Sequence, residues 1–311
     1  MDKKIIELLK EKLENGEIEG VLGFERKQYP EKNGVIFVNH SEGLKRIADS
    51  LFNTLNMATY LGKLKGKKVA VLVRGCEERA INMLSVENQL NREEFFLIGL
   101  PCQGIVNIRK VKSLYKGEIK NIEEKDRLII VEGDKGKIEI SVSKVLSNSC
   151  LDCQRPTSPT ADINIEGDTI SPDADFLKVK EIESLSFPDR WEMFKNEFEL
   201  CIRCYSCREV CPLCYCETCF VDSSDPQWVE PGKDVSDIAS FHLIRMLHMA
   251  GRCVGCGACE IACPEGIKLS YLTSKIAKDV KEAFNYESGL TATQKPALSE
   301  FKQNDKGEFI L

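Results

Sequence analysis

Apolar and polar positions divide the chain into segments of distinct period. Residues 2–14 place Ile5, Ile6, Leu8, Leu9 and Leu13 at helical spacing between charged residues, which predicts an amphipathic N-terminal helix. A stretch with Gly20, Gly23, Pro30 and Gly34 follows, then the short apolar run 35–38. Residues 42–62 carry Leu44, Ile47, Leu51 and Leu55 on one helical face and predict a second helix. Next comes KVAVLV (68–73), a helical pattern over 76–90, and FFLIGL (95–100) closed by Pro101. Strand, helix and strand at this spacing form a βαβ unit with a right-handed crossover and parallel pairing. Residues 127–145 read as two strands joined by a turn containing Gly133 and Gly136. From 150 to 188 four prolines break up a polar connector. A short helix over 188–200, a cysteine-rich stretch, a helix near 269–284 and a polar docking or flexible tail complete the pattern. The expected organisation is an α/β (α+β) domain with a mixed or parallel sheet over 1–187, a ferredoxin-like lobe over 188–285 and a tail over 286–311.

The chain has 311 residues, 42% hydrophobic and 30% charged, enough for a sizeable buried core. A net charge of −6 argues against a nucleic-acid or anionic-membrane surface. No apolar run approaches the ~20 residues of a membrane span. The N-terminus reads as a helix and not a signal peptide, so a cytoplasmic location is expected. Cysteine changes the picture. There are 15, and 11 of them fall between 201 and 263. An odd number concentrated in one stretch is a poor disulfide framework and suits thiolate metal ligands in a reduced compartment.

Two copies of one string carry the strongest signal. Cys201-x2-Cys204-x2-Cys207-x3-Cys211-Pro212 recurs as Cys253-x2-Cys256-x2-Cys259-x3-Cys263-Pro264. This is the spacing of bacterial two-cluster ferredoxins, in which three thiolates hold one 4Fe-4S cluster and the fourth reaches the other. The expected sets are Cys201, Cys204, Cys207 with Cys263, and Cys253, Cys256, Cys259 with Cys211. A pair of zinc sites is the bland alternative, but structural zinc favours two short pairs separated by a longer loop. The long insert 212–252 must fold over the clusters.

Four cysteines lie outside this lobe, the number one further cluster requires. Cys76 and Cys102 follow the two parallel strands, at the carboxyl edge where ligands bind. A Cys150-x2-Cys153 pair docked there would complete a third site; alternatively Cys76 and Cys102 are small buried hydrophobes. Cys214, Cys216 and Cys219 (CYCETC) form another tight group, readable as a further cluster, a zinc site or spare thiols. His242 or His248, in the same insert, could supply a fourth ligand, although both read more simply as helix-face residues. Trp191 and Trp228 are expected to be packing anchors.

The strings VRGCEERAINML (73–84), FFLIGLPCQG (95–104) and CLDCQRPTSPTADINIEGD (150–168) together resemble the beta-subunit family of deazaflavin (coenzyme F-420)-reducing hydrogenases and formate dehydrogenases. CIRCYSCREVCPLCYC (201–216) is similar to the iron–sulfur extension of the formate-dehydrogenase-type members. The resemblance implies an α/β domain holding a flavin, FAD, beside a 4Fe-4S cluster whose ligands match Cys76, Cys102, Cys150 and Cys153. It implies that Thr160, Asp162 and Gly167 lie near the flavin. The Gly75 turn at a helix N-terminus would suit a phosphate, with Arg74 and Arg79 as supporting charges. No G-x-G-x-x-G fingerprint is present.

The expected function is an iron–sulfur flavoprotein subunit of an anaerobic oxidoreductase complex. A flavin would couple the one-electron chemistry of clusters to the hydride chemistry of a deazaflavin or nicotinamide. The expected partners are a hydrogenase, a formate dehydrogenase or a heterodisulfide-reductase-like assembly, together with a soluble hydride carrier or ferredoxin. The alternative is a flavin-free 4Fe-4S connector relaying electrons between partner proteins.

Overall fold

The computed structural model describes residues 3–25, 27–170, 176–297 and 299. Its centre is a five-stranded sheet built from β1 (Gly20–Glu25), β2 (Gly34–Val38), β3 (Val69–Val73), β4 (Phe95–Gly99) and β8 (Ile163–Asn164), in the order β2-β1-β3-β4-β8. β3 runs parallel to β1 and β4, with Val71 opposite Leu97, and β2 closes one edge antiparallel. A second sheet is an antiparallel meander of β5 (Ile119–Lys125), β6 (Leu128–Gly133) and β7 (Gly136–Ser141). The mixed α/β architecture and the parallel βαβ unit are as the hydrophobic pattern predicts.

Every residue of β3 is buried because helices cover both faces of the sheet. Val69, Val71 and Val73 face the Gly75–Val86 helix and its Ile81 and Leu84. Ala70 and Leu72 face the opposite way, against Ile5 and Leu9 of the Lys3–Glu14 helix. The two-residue period of a strand thus sorts one apolar run between two cores.

The glycine-containing stretch before the 35–38 run holds a strand, and one expected helix is absent. The region containing Gly20 and Gly23 is strand β1. A Cβ on Gly20 would meet the Phe37 ring and one on Gly23 would meet Ile47, so both glycines permit close approach across the sheet. Residues 42–62 are not one helix. The segment forms a 3-10 turn over Ser41–Arg46, an irregular stretch, and a single α-turn over Ala58–Leu61. Tertiary bonds compete with the helical ladder here: Ala48 N donates to Phe24 O, and Arg74 donates to the carbonyls of Asn53 and Leu55.

The cysteine-rich part is built on the helices Phe187–Glu199, Val235–His248 and Leu269–Phe284. The chain after them is not wholly a loose tail. Arg79 Nε donates to Ser288 O at 2.8 Å, and Asn82 Nδ2 donates to Gly289 O at 3.0 Å. Tyr286 is buried against Met83. Residues 286–289 therefore clamp the last helix to the sheet domain; residues 298 and 300–311 of the expected tail lie outside the described residues. The two tryptophans are surface residues, Trp228 being 66% exposed, so they anchor no core. Among the described residues no helix is long and apolar enough to cross a membrane.

Arg74 and Glu77 form a buried ion pair at 2.9 Å between β3 and the helix that follows. Removing one partner of a buried pair strands the other charge, which costs ~3–5 kcal/mol. Arg74→Met is expected to lower stability by about that amount in urea unfolding; a loss under ~1 kcal/mol would show that the pair is not structural.

Candidate iron–sulfur site

The two cysteine strings fold alike. In the first, Arg203 and Tyr205 adopt left-handed backbone, with φ of 53° and 58°; in the second, Gly255 and Gly257 do so at the same positions, with φ of 69° and 70°. Each string then enters one short helix, Ser206–Glu209 or Ala258–Ala262, with Cys207 or Cys259 as its second residue. The left-handed turns aim amides inward. Arg203 N donates to Cys201 Sγ at 3.4 Å and Gly255 N to Cys253 Sγ at 3.5 Å. Backbone N–H groups directed at the sulfurs suit thiolates that carry negative charge.

The first expected set is gathered. Cys201, Cys204, Cys207 and Cys263 line one cavity with Pro264, Ile267 and Leu269. The lone fourth cysteine of the second string thus faces the three of the first. In the second set, Cys253, Cys256 and Cys259 face one another. Cys211 lies with Cys253 and Cys256 against a shared core, and so does Cys214, which is hydrogen-bonded to Cys211. The structure therefore offers two sulfurs, Cys211 and Cys214, at the fourth position, which the repeat alone does not reveal.

The four outlying cysteines also converge. Cys102 follows β4, Cys76 lies on the first turn of the helix after β3, and Cys150 and Cys153 come from the connector. All four line a cavity of about 100 Å³, together with Cys253, Cys256 and Arg79. Gly104 N donates to Cys102 Sγ at 3.4 Å and Ile105 N to Cys150 Sγ at 3.3 Å.

All 15 cysteines are free thiols. Burial pushes the thiols of Cys76, Cys102, Cys153, Cys253 and Cys256 up, takes Cys150 to about 12 and Cys207 to about 11. Buried thiols of this kind ionise only when a cation takes the place of the proton, as on metal ligation. Donor type, number and grouping fit 4Fe-4S clusters. A single zinc ion needs its ligands drawn tightly together, with Zn–S near ~2.3 Å. Among the described residues no three His, Cys, Asp or Glu side chains meet that closely.

Cys214, Cys216 and Cys219 line a separate cavity of about 530 Å³ with His248, Arg208, Asp222 and Arg245. His242 is elsewhere. Its Nε2 lies 3.4 Å from Cys201 Sγ and its ring stacks on Phe198 at 5.5 Å. Burial, followed by the nearby Arg245 and Arg203 charges, holds it neutral with its pKa lowered to about 4. Sequence reasoning also missed the buried arginines beside the thiols, because no string of residues shows which helix face meets a cysteine.

The six residues expected at the flavin do not form one site. Arg74 has its Nε, Nη1 and Nη2 engaged by Glu77, Asn53 O and Leu55 O. A Cβ on Gly75 would meet the carbonyls of Arg155 and Thr157, so the connector packs against that side of it, while the residue also borders the cavity of the outlying cysteines. Arg79 lines the cavity of the outlying cysteines and donates to Ser288 and Val254 carbonyls. Thr160 and Asp162 lie in a shallow depression with Asn82, Arg92 and Phe95, at the opposite end of β4 from Cys102. Asp162 there pairs with Arg92 at 3.0 Å and accepts from Leu97 N. Gly167 packs on Pro101.

In the iron-free chain, alkylation is expected to reach the exposed Cys204 and Cys216 first. Cys102, Cys207 and Cys259, buried and with thiols pushed up by that burial, should react last, since the thiolate is the nucleophile. Time-resolved peptide mapping with iodoacetamide checks this; uniform labelling would contradict the buried grouping.

Comparison with known proteins agrees with the chemistry. Residues 66–177 match the family model for the C terminus of the beta subunit of coenzyme F420 hydrogenase/dehydrogenase, and residues 197–267 match the 4Fe-4S dicluster domain. The chain is 25% identical to the F420-dependent formate dehydrogenase subunit beta of Methanocaldococcus jannaschii, covering 94% of this chain and 93% of that protein. It is 27% identical to the F420-dependent formate dehydrogenase 1 subunit beta of Methanococcus maripaludis, covering 94% of this chain and 91% of that protein. A chain in the F420-reducing [NiFe] hydrogenase complex from Methanosarcina barkeri superposes with a TM-score of 0.41 at 17% identity, over 52% of this chain and 66% of that one.

Proposed function

We propose that this chain, which belongs to the beta-subunit family of coenzyme F420 hydrogenases and dehydrogenases and carries a 4Fe-4S dicluster domain, is the electron-transfer subunit of an oxidoreductase complex. It would pass electrons between a catalytic partner, of the hydrogenase, formate dehydrogenase or heterodisulfide-reductase-like kind, and a soluble hydride carrier. The relatives' names favour a deazaflavin as that carrier. One observation supports the reading above others: the cysteine groups adjoin. Cys253 and Cys256 line the same cavity as Cys76, Cys102, Cys150 and Cys153, and Cys259 of that middle group faces Cys207 of the group completed by Cys263.

When bound, 4Fe-4S clusters supply one-electron steps at each of these groups. Cys201, Cys204, Cys207 and Cys263 would hold one, Cys253, Cys256, Cys259 and Cys211 the next, and Cys76, Cys102, Cys150 and Cys153 the third. Prolines and apolar side chains such as Ile267 and Leu269 exclude water from the first group. Exchange with a hydride carrier calls for a flavin. The six residues expected to hold FAD do not fit one, and no step is assigned to it. That scatter favours a second reading, the flavin-free connector between partner proteins. Cys214, Cys216 and Cys219 are reduced thiols in this reading, with Cys214 a reserve sulfur for the middle group.

Anaerobically prepared protein is expected to hold about twelve iron and twelve acid-labile sulfide atoms, four per cubane. Cys76→Ser should remove about four irons and leave the two ferredoxin-type signals; about eight irons in the unaltered chain would eliminate the third centre. Yellow flavin in the acid supernatant supports the hydride-exchanging role, and a colourless one the connector. Iron-free protein would overturn both.

A further inference from the structure

Arg245 projects from the Val235–His248 helix into the space between the two ferredoxin-type cysteine sets, and it is 4% exposed. Its Nη2 donates to Cys207 O at 2.8 Å and lies 3.8 Å from Cys214 Sγ. The thiols nearest its charge are those of Cys259, Cys211, Cys214 and Cys207, drawn from both strings. Its Nε and Nη1 have no hydrogen-bond partner, and among the described residues no carboxylate pairs with it. A buried guanidinium with no counter-ion and only one of its nitrogens hydrogen-bonded is costly. Leaving two of its three nitrogens unsatisfied calls for an anion between the strings.

We propose that Arg245 is a shared positioning residue for the two ferredoxin-type centres, its unpartnered N–H groups directed at their sulfurs and its charge offsetting both. The inference rests on the iron–sulfur reading above. A cubane held by four thiolates is anionic and gains one more negative charge on reduction. A fixed buried cation favours that reduced state, and hydrogen bonds to sulfur act in the same direction. One guanidinium whose charge acts on thiols of both sets raises both reduction potentials together, which keeps the pair matched for transfer between them. The neighbouring cations are tied to one side. Arg203 bonds the carbonyls of Glu230 and Gly232 through Nη1, its Nε being unpartnered beside the first string, and Arg252 pairs with Glu87.

The test is an EPR-monitored redox titration of the anaerobically loaded full chain carrying Arg245→Gln or Arg245→Lys, with iron measured on each sample. With full iron, Arg245→Gln is expected to lower the midpoint potentials of both ferredoxin-type signals, while Arg245→Lys, which keeps the charge, stays near the unaltered protein. Unmoved potentials in Arg245→Gln, or a shift confined to one signal, would overturn the proposal while leaving the iron–sulfur reading intact. A second measurement covers a Gln variant that loses iron. In the unaltered chain grown on guanidino-15N-arginine, pulsed EPR should show nitrogen coupling on both reduced signals that Arg245→Lys abolishes. Absence of that coupling also refutes the role. Iron-free unaltered protein would defeat the underlying reading as well.

Discussion

The structure depends on one constraint: a thiol buried away from water stays protonated unless a cation and directed N–H groups replace what solvent would supply. Both strings meet it the same way. Left-handed backbone at Arg203, Tyr205, Gly255 and Gly257 turns the chain sharply enough to aim amides back at Cys201 and Cys253. Glycine takes this conformation without steric cost, whereas Arg203 and Tyr205 must be held in it. Arg203 is held by its bonds to Glu230 and Gly232 and by its position over Phe241. The insert between the strings therefore secures the first string's loop.

The same constraint accounts for the distribution of charge inside the lobe. Twelve ligating thiolates in a chain of net charge −6 would concentrate negative charge. Arginines sit at the cysteine groups: the buried Arg203 beside Cys201, the buried Arg245 between the strings, and the half-buried Arg79 against the cavity of Cys76 and Cys153. His242, by contrast, is kept neutral by burial and then by Arg245 and Arg203, and serves as a stacked wall on Phe198.

Alignment of the groups requires a fixed seam between sheet domain and lobe. Arg109 donates to the carbonyls of Ile261 and Cys263, and Asn148 to Glu260, itself bonded to Ser270. Glu87, at the end of the helix after β3, pairs with Arg252 and accepts from Tyr215. Residues 286–289 close the seam from the far side. Each contact touches a residue within a few positions of a cysteine, so a shift at the seam would move the sulfurs.

Period and spacing were enough to reveal β3, the helix after it, β4, the last long helix and the repeated string, because each depends on neighbours along the chain. Short-range chemistry also marked Cys76 and Cys102 as strand-end residues. The break in the 42–62 segment was not legible, since carbonyls claimed by Arg74 and the strand pairing of Phe24 come from distant sequence. Nor was the strand at Gly20 and Gly23, whose missing side chains accommodate Phe37 and Ile47. The surroundings of the residues expected at the flavin were not legible for the same reason: Arg74 looks like a free charge in sequence and is paired with Glu77 in space. By itself the sequence determined which atoms could bind iron and in what local geometry. Only the tertiary structure decided that the three cysteine groups adjoin, that Cys214 stands beside Cys211, and that Arg245 lies between the strings, because burial and long-range hydrogen bonding are properties of packed elements and not of any one segment.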